Sequence, residues 1–380
     1  MRIAGDWLTH GATQRFCAAL VGAGYRALFV GGCVRNALLG VPVADIDLST
    51  DARPETVNAL AEAAGFRVVP TGVDHGTVTV IAEGVPHEVT TFRRDVETFG
   101  RHATIAFSED VAEDAARRDF TMNALYAEPS GEVIDPLGGL PDLIARRVRF
   151  VGDASQRIRE DYLRILRFFR FHAIYGDPSG GLDAEGLAAC AALADGIEQL
   201  SRERVGAEMR KLLSAADPAP AVAAMDHAGV LRHVLPGADP RALPVLVHLE
   251  DGRAPDWLCR LASLGGEEAA ERLRLSRADT LALAKLRSAA VAGASPAELG
   301  YRLGCRLGAG AVLVRAALLE APPPSGWEEA LARGAAARFP LRAADLMPEL
   351  EGPALGARLR ELEERWIASD FQLTRDALLG

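Results

Sequence analysis

Lysine is almost missing from this 380-residue chain: Lys211 and Lys285 are the only two among 42 basic residues. Nearly every cation is therefore an arginine, and arginine at any single position says little by itself. Cysteine is sparse too. Cys17, Cys33, Cys190, Cys259 and Cys305 are odd in number, scattered, and form no C-x-x-C pair. That argues against a zinc ribbon or a disulfide framework and points to a reducing compartment, the cytoplasm. No apolar run approaches the ~18 residues of a membrane span, and no membrane partner is expected. The opening MRIAGDWLTH lacks the charged-then-apolar layout of a secretory signal. Excess positive charge is also missing: the net charge of −10 argues against a generally basic nucleic-acid coat.

What is present describes a folded protein. Hydrophobic residues make up 49% and charged residues 25%, which excludes collagenous and disordered classes. The length suggests two or three packed units. The acidic average hides a basic segment. Residues 146–175 hold Arg146, Arg147, Arg149, Arg157, Arg159, Arg164, Arg167 and Arg170 against Asp153, Glu160 and Asp161. A local basic stretch in an acidic chain suits a surface that meets phosphates, although an Arg-rich solvated helix face gives the same pattern.

The first ~145 residues read as α/β. YRALFVGG (25–32) is a short apolar strand ending in two glycines, and VRNALLG (34–40) a short helix stopped by Gly40. ADIDLST (44–50) alternates, with Ile46 and Leu48 on one face and Asp45, Asp47 and Ser49 on the other. PETVNALAEAA (54–64) is a helix with proline at its start and Gly65 after it. FRVVP, GTVTVIAEG, HEVTTF and GEVIDP follow as strands, and residues 93–116 read as a long mobile loop leading into a helix. From about 153 the β signals fade and short Ala/Leu/Arg/Glu-rich helices are expected, with breaks near 176–181, 217–220, 236–244 and 321–326.

Asp45 and Asp47 stand at i and i+2, so on a strand both carboxylates project to one side. They are expected on a solvent-facing strand edge. Hard oxygen ligands so placed suit Mg²⁺, which takes one or two carboxylates plus substrate phosphates. A lone D-x-D is more often a polar strand face. Upstream, however, a strand ends in Gly31-Gly32 and a helix begins, which lets backbone N–H groups approach a phosphate, and Arg35 in the first turn offers a forked donor.

G-G-C-V-R-N-A-L-L-G followed by D-I-D-L-S-T resembles the signature of polymerase-β-like nucleotidyltransferases, and more narrowly the bacterial tRNA CCA-adding enzyme and poly(A) polymerase family. The family has Asp after the Arg, where this chain has Asn36. H-G-T-V-T-V (75–80) and H-E-V-T-T-F-R-R (87–94) resemble later strands of the family's head domain. Glu88 is a third carboxylate there or an exposed strand residue, and both readings stay open. R-R-D-F-T-M-N-A-L-Y (117–126) matches the motif that the family associates with nucleotide sugar and phosphates. Arg118 is chemically suited to phosphates, and Asp119 and Asn123 to ribose hydroxyls. R-E-D-Y-L-R-I-L-R-F-F-R-F (159–171) resembles the family's E-D-x-x-R motif. On one continuous helix Asp161 and Arg164 are near neighbours, with Arg167 and Arg170 rotated progressively away. Arg204, Glu208 and Lys211 read as a structural ion-pair ladder on the helix that follows.

The resemblance covers residues 25–215 and implies an α+β fold: a polymerase-β-like nucleotidyltransferase α/β head followed by an all-helical neck, body and tail. The expected boundaries are 1–148 for the catalytic head, 149–216 for a base-reading neck and 217–380 for a tRNA-binding body and tail. The implied activity is Mg²⁺-dependent, template-independent addition of CMP and AMP from CTP and ATP to the tRNA 3′ end, releasing pyrophosphate. The alternative is a poly(A) polymerase or an enzyme adding only C or only A. Asp45 and Asp47 are the expected catalytic and metal-binding residues. Gly32, Arg35, Arg118, Asp161, Arg164, Arg167 and Arg170 are the expected nucleotide-binding residues. No His-Asp dipeptide occurs in the chain, so the phosphohydrolase activity of some relatives is not expected.

Overall fold

Alternation and glycine punctuation set the first elements, and burial fixes where they pack. The computed structural model describes residues 1–69, 76–99, 102–347 and 350–380, with backbone alone for 95–99 and 102–105. His75 lies outside the described residues. Two units divide the chain: residues 1–208 with 224–233, and residues 209–223 with 234–380.

The elements run α1 (Asp6–Thr9), α2 (Gly11–Gly22), β1 (Leu28–Val30), α3 (Gly32–Leu39), β2 (Ile46–Thr50), α4 (Pro54–Ala63), β3 (Arg67–Val69), β4 (Thr77–Ala82), β5 (Val85–Thr91), β6 (Arg93–Phe99), β7 (His102–Phe107), α5 (Val111–Ala116), β8 (Tyr126–Ala127) and β9 (Val133–Ile134). Helices α6 (Leu140–Ile144), α7 (Ala154–Glu160), α8 (Leu163–Tyr175), α9 (Ala184–Ala192), α10 (Arg202–Leu213), α11 (Ala219–His227) and α12 (Leu231–Val234) follow. Among the described residues no strand comes after β9, so the α+β reading of a mixed head and a helical remainder holds.

The main sheet has the order β3-β4-β5-β2-β1-β8-β9. Only β2 and β5 pair in parallel, and the other neighbours are antiparallel. β2 is thus an interior strand, not an edge. Its backbone is hydrogen-bonded on both sides, and Ser49 and Thr50 are fully buried beside Leu48. The sequence 93–116 is not a loop. It forms a separate antiparallel hairpin of β6 and β7, then α5. Interspersed charges conceal the alternation there, and a register shift between Asp95 and Glu97 breaks the period.

Aromatic packing joins the sheet end to α8. Phe120 and Phe150 form an isolated antiparallel bridge with ring centroids 5.0 Å apart. Phe168 stacks on Phe150 at 5.4 Å, and Phe171 lies 5.0 Å from Phe120. All four rings are buried. Burying aromatics of this size contributes several kcal/mol, which locks the orientation of α8.

The second unit continues with α13 (Ala242–Glu250), α14 (Trp257–Leu264), α15 (Ala269–Arg272), α16 (Arg277–Val291), α17 (Pro296–Leu318), α18 (Trp327–Ala336), α19 (Gly352–Ala368) and α20 (Arg375–Leu379). Arg260 is its most buried cation, held by Glu250 at 2.6 Å and by the carbonyls of Leu213, Ala215 and Ala216. Full pairing is what makes a charge tolerable at that depth. Leu341, Leu362, Trp366, Ile367 and Leu378 close a smaller core near the C-terminus.

Candidate active site

The site starts at the end of β1. Gly31 adopts φ 68° and ψ −114°, a conformation that a Cβ resists. A Cβ there would also meet Arg118 Nη1 at 3.4 Å and Asn123 O at 3.6 Å. The chain then enters α3 at Gly32 with no side-chain cap on its first amides. That leaves donors and a positive dipole end for an anion.

Asp45 immediately precedes β2, and Asp47 lies within it. The parallel register sets Asp47 directly opposite Glu88 of β5. Among the described residues none of these three carboxylates has a hydrogen-bonding or ion-pair partner. Burial, then the charge of Glu88, push the half-buried Asp47 carboxyl up to about 6; Arg118 opposes the shift and Asp45 adds to it. Carboxylates clustered without a counter-charge favour a cation between them. No three acids, histidines or cysteines among the described residues converge tightly enough to hold a metal alone. Two carboxylates completed by substrate oxygens and water are the set that Mg²⁺ accepts, so the donors fit the ion expected from the sequence.

Arg118 faces this cluster from a dense polar network. Its Nε donates to the Tyr126 hydroxyl at 3.0 Å, and its Nη2 donates to Asp114 at 3.0 Å and to Ser49 Oγ at 3.3 Å. Tyr126 in turn donates to Asp114 at 2.6 Å. Burial pushes the Asp114 carboxyl up, but Arg118, Arg117 and the Tyr126 hydroxyl more than offset this and hold it at about 2.

Arg35 folds back beneath the glycine turn and is only 6% exposed. Its Nη1 donates to Asn123 Oδ1 at 2.5 Å, and its Nη2 to Asn36 Oδ1 at 2.9 Å and to the Tyr175 hydroxyl at 2.7 Å. Asn123 donates to Asp119 at 2.9 Å, and Asp119 accepts from Arg167 Nε at 2.8 Å and Nη2 at 2.5 Å. A continuous polar chain therefore runs from α3 to α8.

The arginines of α8 do not pair as a continuous helix would require. Asp161 is extended, at φ −155° and ψ 105°, and separates α7 from α8. Its Oδ1 accepts from the backbone of Leu163, the first residue of α8, at 3.1 Å, so it fixes the junction between two helices instead of continuing the old one. Arg164 reaches Glu160 at 2.6 Å and the carbonyls of Arg157 and Arg117. Asp161 is taken by Arg204 at 2.6 Å. Arg170, buried, pairs with Glu208 at 2.5 Å. Arg204 and Glu208 thus reach across to residues 161 and 170 and do not form a ladder along α10.

The head-domain family of poly A polymerases matches residues 27–149, and a probable RNA and SrmB-binding site of polymerase A matches 182–241. The mitochondrial CCA tRNA nucleotidyltransferase 1 of Mus musculus is 32% identical over 378 residues, which cover 92% of this chain and 85% of that one. The chain belongs to the CCA-adding tRNA nucleotidyltransferase family. The CCA-adding enzyme of Bacillus pumilus is 42% identical over 192 residues, 50% of this chain and 46% of that one. The crystal structure of the Bacillus stearothermophilus CCA-adding enzyme in complex with CTP superposes with a TM-score of 0.77 at 28% identity, covering 94% of this chain and 93% of that one. As a CCA-adding family member, the chain is a nucleotidyltransferase, and no helix among its described residues is long and apolar enough to cross a membrane.

Sequence patterns do not single out three residues of this cluster: Asp114, Ser49 and Tyr175. Ser49 falls on the polar face of its strand pattern, yet it is fully buried beside Arg118. Asp114 stands four residues before Arg118, a helical spacing that signals pairing. Tyr175 carries no local signal, because its partner lies 140 residues away.

Proposed function

We propose that this chain adds CMP and AMP, from CTP and ATP, to the 3′ end of tRNA in the cytoplasm without a nucleic-acid template. The tRNA 3′-hydroxyl attacks the α-phosphorus, a new P–O bond forms, the α–β phosphoanhydride breaks, and pyrophosphate leaves as the hydroxyl proton passes to solvent. The observation that carries this reading is the unpaired Asp45–Asp47–Glu88 acid group beside the Gly31-Gly32 turn. Asp45 and Asp47 would hold Mg²⁺, which would supply Lewis-acid stabilisation to the transfer. The open amides from Gly32 onward and the charge of Arg118 receive the triphosphate. Arg35 supports the turn from below and adds positive charge, and Arg167 fixes Asp119 for the ribose. Preorganised charge of this kind provides most of the rate in phosphoryl chemistry.

Base choice is assigned to Asp161 and Arg164. Cytosine and adenine each present an amino donor beside a ring-nitrogen acceptor, whereas guanine and uracil present the reverse. A carboxylate only accepts and a guanidinium only donates. Although they pair elsewhere, Asp161 is half-exposed and the Arg164 Nε–H has no partner among the described residues. Arg170 contributes by anchoring α8 to Glu208.

The test is incubation with tRNA lacking its 3′ end, Mg²⁺ and labelled CTP or ATP. A ladder that stops at three added nucleotides is the expected result, and long A-tracts indicate a poly(A) polymerase instead. Asp161→Ala is expected to narrow the kcat/KM advantage of CTP and ATP over UTP and GTP by roughly 10-fold or more, since hydrogen-bond-reading sites discriminate up to about 10⁴. An unchanged preference moves base reading elsewhere.

A further inference from the structure

We propose that Tyr175 is a positioning residue: through it, the far end of α8 grips Arg35 and holds the glycine turn in register with the base-reading end of the same helix. The inference rests on the site reading above and gives a role to a residue that the proposed reaction leaves without one.

Arg35 is a buried cation whose hydrogen-bond acceptors are all neutral, with the charges of Asp119 and Arg170 close enough to act on it from either sign. Its side-chain partners are Asn36, Asn123 and the Tyr175 hydroxyl. The carboxylate nearest in this network, Asp119, already receives Arg167, Asn123 and the Phe120 amide. The Arg35 guanidinium carbon also lies 4.0 Å from the centroid of the Tyr175 ring. One tyrosine therefore supplies both a hydrogen-bond acceptor and an aromatic face to a desolvated charge, where each interaction is stronger than in water. Arg35 Nη2 lies 3.8 Å from where a Gly32 Cβ would stand, so the guanidinium lies directly against the turn.

The other end of the contact is stiff. Tyr175 is the last residue of α8, and Arg164 lies in its first turn. Eleven residue steps of helix separate them, about 16 Å. Phe168, Phe169 and Phe171 are buried along that span. A rigid rod with the base reader at one end and the Arg35 grip at the other sets how far the triphosphate cradle lies from the base. Asn36 completes the seat: its Oδ1 accepts from Arg35 while its Nδ2 donates to Pro42 O at 2.9 Å, on the loop that leads to Asp45.

Full-length Tyr175→Phe, which keeps the ring, and Tyr175→Ala, which removes both contacts, are compared with wild type by steady-state addition to one tRNA acceptor. Tyr175→Phe is expected to raise the CTP KM roughly 10-fold, the scale of one lost charge-assisted hydrogen bond, with the tRNA KM unchanged. Tyr175→Ala is expected to raise it further and to lower the CTP-over-UTP preference at least several-fold. Adding Asn36→Asp to Tyr175→Phe gives Arg35 a charged acceptor and restores most of the CTP KM. A nucleotide KM and base preference that stay at wild-type values in Tyr175→Ala overturn the proposal. So does a loss in Tyr175→Phe that falls equally on kcat and on both substrates and is not restored by Asn36→Asp. Wild-type protein that adds no nucleotide overturns the proposed activity instead, which keeps the two failures apart.

Discussion

Asp47 and Asp114 are both acids near the same arginine, yet their surroundings drive them in opposite directions. Burial and then the facing Glu88 push Asp47 up, whereas Asp114, though buried, is gripped by Arg118 and Arg117 and held down. The first arrangement awaits a cation and the second is already neutralised. Asp45→Ala or Asp47→Ala is expected to lower nucleotide addition roughly 10³-fold. Because it relieves repulsion with Glu88, Asp47→Ala keeps a melting temperature at or above the wild-type value in metal-free buffer. Retention of more than a few percent of turnover by both variants would sink the two-carboxylate assignment. Asp114 gives a pH signature. Its folded pKa lies below its unfolded value, so its contribution is present above about pH 4 and is lost as pH falls towards 2. By linkage the contribution is about 2 kcal/mol. Asp114→Asn should lower stability at pH 7 and flatten the loss between pH 4 and 2, measured by thermal melts across pH. A variant with the wild-type acid limb refutes the assignment.

At the scale of elements, the second unit offers a sharper test of packing than of chemistry. Helices α17 and α18 approach so closely that a Cβ on Gly334 would lie 1.8 Å from Ala297 O, and one on Gly300 2.1 Å from Leu331 O. Neither obstacle is a flexible side-chain tip, so backbone must move. Gly334→Ala is expected to destabilise by about 3 kcal/mol. Gly356 in α19 has open space around it, and Gly356→Ala should stabilise by about 0.5–1 kcal/mol. Urea titration of both variants checks the pair, and equal effects would contradict the close crossing. The break at Asp161 belongs to this scale as well. The sequence R-E-D-Y-L-R reads as uninterrupted helix because no glycine or proline marks the stop. The extended Asp161, its carboxylate on the first amide of the following helix, ends the preceding one, and arginines counted from a single helical phase then point to the wrong partners.

For the whole molecule, charge placement matters more than charge total. Of the eight arginines in 146–175, Arg146, Arg147, Arg149 and Arg159 are exposed, while Arg157, Arg164, Arg167 and Arg170 are at least half-buried and paired. Arg149 is itself bound by Asp142 at 2.8 Å, so three outward cations remain and the segment offers roughly three phosphate contacts. Reversing Arg146 and Arg147 to Glu should weaken tRNA binding and reduce the salt slope by about 2, given a slope near 0.7–0.9 per phosphate. Filter binding from low to moderate salt measures it, and an unchanged slope removes this segment from the RNA surface.

The sequence alone determined what is local: the strand ending in Gly31-Gly32, the helix stopped by Gly40, the i, i+2 spacing around Ile46, the order of the motifs and the loss of β signals after the head. These follow from backbone preferences and periodicity within a few residues. Only the tertiary structure decided that β2 is an interior strand, that Glu88 faces Asp47, that Arg164 pairs with Glu160 and Asp161 with Arg204, and that Arg35 is seated on Tyr175. The chain offers 42 basic groups and 52 acids, many with the same local spacing. Partner choice among them depends on which pair the fold brings within about 3 Å and desolvates, a quantity that no local pattern encodes.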